Sequence, residues 1–167
     1  RGFERSVNDE LVESIGAHLI VARGGCPMDA ASIIAQGGVS PLFVPEKIVN
    51  VIKKVDGVKD ILPFKIFSIT TPDGTRTDIF CGITESVNKI KPKWKYKEGG
   101  WFTDNDSVIL GADIANIEGR VVGDKVYFEN FDREFNVAGI LDYSYSQDDG
   151  MFFLPLKTSQ ELIRREG

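Results

Sequence analysis

Few residues in this chain are of a type and spacing that do chemistry. One histidine, His18, stands at the head of the apolar run His18–Arg23, which reads as a strand. A nucleophilic triad needs a histidine that converges with a Ser or Cys and a carboxylate. A lone imidazole at a strand end is better read as a polar terminus. No glycine-rich loop carries the Lys-Ser/Thr pair that cradles phosphates. Asp73-Gly74-Thr75 matches part of an aspartyl-phosphate motif, but Thr71 stands where the second Asp belongs, and a hairpin turn accounts for Asp73. Asp104-Asn105-Asp106 and Asp148-Asp149-Gly150 offer carboxylate oxygens to a cation. Neither has the alternate-position ligands and closing Glu of a calcium loop, so both read as solvated loop carboxylates. Cys26 and Cys81 fit no metal-binding spacing and no CxxC pattern. Either they are two small buried hydrophobes, or, in an oxidising compartment, they pair for roughly 2–4 kcal/mol. The chain therefore reads as non-catalytic, with no catalytic residue, metal or cofactor expected.

One local pattern stands apart. Lysines recur at every second place in Lys89-Ile90-Lys91-Pro92-Lys93-Trp94-Lys95-Tyr96-Lys97, so a fully extended chain would carry them on one face. Pro92 argues against a central strand. One reading is an edge strand whose lysines block unwanted pairing. The other is a contact with an anionic surface: lipid headgroups, a cell-envelope polymer or an acidic partner. In that second reading the contact residues are Lys89, Lys91, Lys93, Trp94, Lys95, Tyr96, Lys97 and, just beyond, Trp101.

The elements that must position these residues follow from periodicity. Phe3, Val7, Leu11 and Ile15 recur at every fourth place across Arg1–Gly16, which predicts an amphipathic helix. Met28–Ala35 has helical composition but is broken by Gly37-Gly38 and Pro41. Pro45 opens a helix with Ile48, Val51, Ile52 and Val55 on one side and Gly57 as its stop. Burying each of those four side chains is worth about 1.5–3 kcal/mol, so the helix is expected to lie on a sheet. Val58–Thr71 reads as a strand and Arg76–Ile83 as its return. Between them, Pro72 presets φ and Gly74 takes the left-handed turn position. Residues 84–105 read as irregular. Val108–Leu110 then leads into a helix over Ala112–Ile117, with a turn at Val122-Gly123-Asp124. Strands follow at Lys125–Glu129, Phe135–Asp142 and Met151–Leu156, with a loop over Tyr143–Gly150. Thr158 and Glu161 predict a capping box that opens a helix over Thr158–Gly167. The sum is an α+β fold: βαβ-type halves forming a mixed sheet with helices on one face.

At 167 residues the chain can hold one domain with a core, or two small lobes that share one. Its net charge of −5 argues against a nucleic-acid partner, which requires many phosphates to be neutralised. Apolar runs such as 107–112 fall far short of the roughly 20 residues that a membrane helix needs. The first residue is not Met, and a helix is already under way there. Together with the fresh helix at Thr158, this predicts a piece of a larger protein.

The second half carries an ordered set of short motifs. They are Val108-Ile109-Leu110-Gly111, Asp113-Ile114-Ala115, Val122-Gly123-Asp124, Phe135-Asn136-Val137-Ala138-Gly139-Ile140-Leu141, and Phe153-Leu154-Pro155-Leu156 with Thr158-Ser159-Gln160. In this order they resemble the MacB-like periplasmic core domain of ABC-transporter permeases. Val55-Asp56-Gly57-Val58 and Ile61-Leu62-Pro63 are similar to that family's helix-to-strand junction. The resemblance implies a porter-like core lobe from residues 1–71 and 106–167, with a short inserted segment or small lobe at 72–105. It implies a domain on the extracytoplasmic face of the bacterial inner membrane, in the periplasm, held between two membrane helices. The implied partners are a cytoplasmic ABC ATPase, a second permease subunit, and a periplasmic adaptor or lipoprotein cargo. The implied work is mechanical coupling of ATP hydrolysis to export or extraction of a lipoprotein, peptide or antibiotic. Two other readings fit the same frame: a ligand-sensing domain of a membrane receptor, and an FtsX-type domain that regulates a cell-wall hydrolase.

Overall fold

Alternating apolar residues between Phe64 and Leu154 build one mixed sheet, and both of its faces are covered. The computed structural model describes Val21 and residues 44–91 and 93–163. The expected helix over 1–16, the strand at 18–23 (Val21 apart) and the 28–35 segment lie outside these described residues. Helix α1 spans Lys47–Ile52, followed by β1 (Phe64–Thr70), β2 (Thr77–Ile83) and α2 (Val87–Ile90). Then come β3 (Tyr96–Gly99), β4 (Ser107–Leu110), α3 (Ala112–Glu118) and β5 (Lys125–Phe128). The chain continues through β6 (Arg133–Leu141), β7 (Met151–Pro155) and α4 (Leu156–Leu162).

Among the described residues the seven strands run in the order β1-β2-β7-β4-β6-β3, with β5 also paired to β6. The pairs β2–β7 and β4–β6 are parallel, and the others are antiparallel. Strand alternation divides the core in two. On one face Phe67, Phe80, Leu110, Val137 and Phe152 pack beneath Ala115 of α3, Leu162 of α4 and the β5–β6 hairpin. On the other, Cys81, Ile109, Met151 and Phe153 are covered by Val87 of α2, Trp94, Leu62 and Trp101. The mixed α+β sheet with α3 and α4 on one face matches the expectation from sequence.

The hairpin turn forms as its residues require. Gly74 sits at φ 72° and donates to the Thr71 carbonyl over 2.8 Å. Asp73 accepts from the Thr71 and Thr75 hydroxyls at 2.6 and 2.8 Å and from the Thr75 amide at 3.1 Å. These bonds favour the ionised form and hold the Asp73 carboxyl down at about 2. The turn's contribution to stability is thus present above the ordinary aspartate range and is lost as pH falls towards 2. Carboxyl-detected NMR should find Asp73 titrating near 2; a midpoint near the ordinary 3.8 would show that the bonds do not persist in solution.

Several elements depart from the sequence reading. No residue of α1 is buried, and Val51 and Val55 are 60% and 55% exposed. The expected seating of this helix on the sheet therefore does not hold. Helical spacing reveals an apolar stripe but not what covers it, and the covered positions on the sheet go to α3, α4 and β5. The strand expected from Val58 begins only at Phe64, and residues 84–105 are not irregular throughout, since α2 and β3 lie there. Residues 72–105 supply β2 and β3 to the same sheet as the rest. The Thr158–Glu161 capping box is absent: α4 starts earlier, at Leu156 after Pro155, without a side-chain cap. Thr158 is fully buried and donates instead to the Asn105 carbonyl at 2.9 Å. No helix among the described residues is long and apolar enough to cross a membrane.

Helix α4 lies flush on β2 because residue 82 has no side chain. A Cβ there would land on Ser159 Oγ, 2.5 Å from Ser159 Cβ and 3.3 Å from the Leu156 backbone. Gly82→Ala is expected to cost about 1–3 kcal/mol by overpacking. Ser159→Gly in the same chain should restore part of that loss. Urea unfolding of the single and double variants measures both, and additive losses would show that the two residues do not meet.

Candidate functional site

The lysine segment does not form one extended face. Lys89 is on α2, Lys91 caps its C-terminus, and extended pairing begins only at Tyr96, with a register shift before Glu98. Lys91 Nζ lies 2.6 and 2.8 Å from the two carboxylate oxygens of Asp148, with the paired side chains only 22% and 16% exposed. Trp94 is buried edge-on against Phe153, with ring centroids 4.7 Å apart, and donates from Nε1 to the Tyr96 hydroxyl at 3.2 Å. Burial pushes the half-buried Tyr96 phenol up. Lys89, Lys93, Lys95 and Lys97 remain exposed, and Trp101 is half-buried against Phe102 at 4.6 Å. The structure thus separates two structural residues, Lys91 and Trp94, from four exposed lysines.

The loop carboxylates are not simply solvated. Asp149 is 4% exposed. It accepts from the Ser144 amide and hydroxyl at 3.0 and 2.7 Å and from the Tyr145 amide at 2.8 Å. Asp104 accepts from the Ser107 hydroxyl at 2.8 Å and the Asp106 amide at 2.9 Å, while Asp106 pairs with Arg133 at 2.6 Å. Loop carboxylates answer nearby backbone donors in this way when the loop folds back on itself. Among the described residues no group of three or more His, Cys, Asp or Glu side chains could hold a metal ion. Cys81 carries a free, buried thiol that burial pushes up to about 12, so the thiolate nucleophile is suppressed. Cys26, its candidate disulfide partner, and His18 lie outside the described residues.

One concave site emerges that sequence reasoning missed. A cleft of about 490 Å³ opens between the 71–76 turn, the end of α3 and the β5–β6 hairpin. Its floor is apolar: Ile69, Phe80, Val126, Phe128 and Phe131. Its wall is an alternating ionic ladder. Arg76 Nε lies 2.6 Å from Asp78 Oδ1, and Arg76 Nη1 lies 2.8 Å from Glu118 Oε1. Glu118 Oε2 then receives Arg120 Nε at 3.3 Å. Asp78 is 6% exposed, and burial pushes its carboxyl up against the pull of Arg76. Its Oδ1 has the ion-pair contact but no aligned hydrogen bond. The lip is the 3-10 turn Glu129–Phe131, tied to β1 by the Asn130 amide donating to the Thr70 carbonyl at 2.9 Å. The ladder joins residues some forty positions apart, so no local spacing announces it. The available signal was the abundance of Phe, eleven in all.

Comparison with known proteins places the fold. The model of the MacB-like periplasmic core domain matches residues 1–167. Among solved structures, the extracellular domain of the noncanonic ABC-type transporter YknZ from Gram-positive bacteria is similar, with a TM-score of 0.56 and 22% identity. That similarity covers 71% of this chain and 65% of the other, so the match spans about two thirds of the YknZ domain's length. No match is found among curated proteins. The whole-chain match, the ordered motifs and the mixed sheet agree: the chain belongs to the MacB-like periplasmic core domain family.

Proposed function

We propose that this domain is a non-catalytic transmission element, coupling ATP hydrolysis by a cytoplasmic ABC ATPase to movement of cargo outside the membrane. The observation that supports this most is the fixing of α4 to the sheet. Gly82 lets the helix lie against β2, Thr158 bonds to Asn105 at the head of β4, and Glu161 faces Arg133 of β6 at 3.9 Å. A helix held at three strands moves as one body with them, so a displacement of α4 reaches the sheet with little internal loss. In this reading the chain after α4 continues to a membrane helix, a second permease subunit completes the transporter, and a lipoprotein, peptide or antibiotic is the cargo. The four exposed lysines with Trp101 serve as a contact with an anionic surface of the envelope or of a partner.

Fractionation with an antibody against this domain should find the native chain in the membrane, co-purifying with an ATPase. In the reconstituted transporter, Thr158→Val should lower cargo movement while ATP hydrolysis continues. A soluble native protein without an ATPase partner overturns the proposal, as does unimpaired transport in a variant whose α4 contact is shown to be broken.

A further inference from the structure

We propose that the paired rings of Tyr143 and Tyr145, on the loop between β6 and β7, form a docking shelf for an arginine side chain presented by a partner protein. The first observation is a strained residue whose ring is left in water. Tyr145 sits at φ 56°, in the left-handed region that a bulky residue enters only when its surroundings force it. Those surroundings are the buried Asp149 carboxylate, which accepts from the Ser144 amide and hydroxyl at 3.0 and 2.7 Å and from the Tyr145 amide at 2.8 Å. The Ser144 and Ser146 hydroxyls meet at 2.8 Å and close the turn. Packing of the ring does not repay the strain, because Tyr145 is 93% exposed. It stacks on Tyr143, itself 44% exposed, with centroids 6.0 Å and planes 27° apart. A ring held rigidly in the open suits a binding hot spot: it offers apolar area and loses little freedom on docking.

The charges beside the rings decide the partner. Asp142 precedes Tyr143 and accepts from its amide at 2.9 Å. Asp113, in the first turn of α3, stands at the Tyr143 phenol, which burial and this carboxylate push up. Both carboxylates are exposed, and among the described residues neither pairs with a lysine or an arginine. Lys95 accepts from the Asp142 amide through its backbone carbonyl at 2.8 Å, and its side chain neutralises neither acid. The shelf thus offers an open ring face with two unneutralised carboxylates at its edge. A guanidinium meets both, since it lies flat on an aromatic face and donates in its own plane to a carboxylate. An ammonium is a compact point charge without a plane to stack, and an anion is repelled. Ile117, 75% exposed and one helical turn beyond Asp113, extends the surface with an apolar contact for a residue beside the arginine. The inference concerns this loop and α3 alone and stands whether or not the domain transmits force.

The isotope-labelled chain is titrated, with NMR detection, against N-acetyl-Leu-Arg-Leu-amide and against the same peptide with citrulline or lysine at its centre. Citrulline keeps the plane and removes the charge, whereas lysine keeps the charge and removes the plane. The arginine peptide should shift the amide resonances of Asp113, Tyr143, Ser144 and Tyr145, and should bind about threefold or more tightly than either counterpart. Tyr127 is the internal control: it is also exposed and bonded to a carboxylate, that of Asp132, but lies outside the shelf, so its amide should not move. Tyr145→Asn removes the ring and keeps a residue that tolerates the left-handed region, and should weaken the arginine peptide about two- to fivefold. Asp113→Asn removes one exposed carboxylate and should weaken it about twofold or more. Both changes fall at exposed positions, and unchanged amide resonances across β7 show that the fold is kept. Citrulline or lysine peptide binding as tightly as the arginine peptide overturns the proposal. So do equal shifts at Tyr127, no shift at the shelf, or undiminished affinity in both folded variants.

Discussion

Phe80→Ala is expected to destabilise the fold by about 3–5 kcal/mol, the cost of truncating a buried aromatic ring whose surroundings cannot collapse. The ring is 1% exposed and sits between two parallel neighbours, Phe67 and Phe152, each with its centroid 5.3 Å away. Phe128 and Phe131 close over it edge-on. These four rings come from β1, β7, β5 and the 3-10 turn, each fixed by its own backbone pairing, so none is free to move in and fill the void. Urea unfolding should show a lower midpoint with an unchanged denaturant slope. Phe64→Ala is the control: that ring is half-exposed on the edge strand β1, and its loss should cost far less. Equal losses at the two sites would mean that the aromatic cluster is not the centre of the core.

Asp149→Ala should cost about 2–4 kcal/mol, because it strips a buried charge acceptor from three donors that have no other partner of that strength. The Ser144 amide and hydroxyl and the Tyr145 amide all point at this one carboxylate. It also holds Tyr145 at φ 56°, a left-handed conformation that a bulky residue adopts only under constraint. With the carboxylate removed, the loop is expected to leave that conformation and to part the stacked Tyr143 and Tyr145 rings, now 6.0 Å apart. Hydrogen exchange at the Ser144 and Tyr145 amides should then accelerate more than at amides of β7. Asp149→Asn keeps one acceptor oxygen and should recover part of the loss. Unchanged exchange at those two amides in Asp149→Ala would show that the carboxylate does not brace the loop.

Much of the fold was legible because its signals are local. The Thr71–Thr75 turn follows from side chains within five residues, and the strands β2, β4, β6 and β7 follow from short apolar runs. Gly119 ends α3 in the left-handed region at φ 63°, with the Arg120 amide returning to the Ala115 carbonyl at 2.9 Å, a helix stop written in one residue. Periodicity misled where it had to stand in for tertiary contact. The α1 stripe is helical yet exposed, and the alternating lysines suggested an extended run where the chain instead turns through α2 and buries Trp94.

The sequence by itself determined the backbone alphabet of this protein, its membership in a family through ordered motifs, and the poverty of its catalytic groups. Only the tertiary structure decided the partners of its charges. Lys91 meets Asp148 across 57 positions and Thr158 meets Asn105 across 53, while Asp78, Glu118 and Arg120 share a cleft wall with Arg76. The reason is physical. Helix and strand periods are set by neighbours a few bonds away, whereas a salt bridge, a buried acceptor or a cleft depends on the order β1-β2-β7-β4-β6-β3, which brings distant segments side by side.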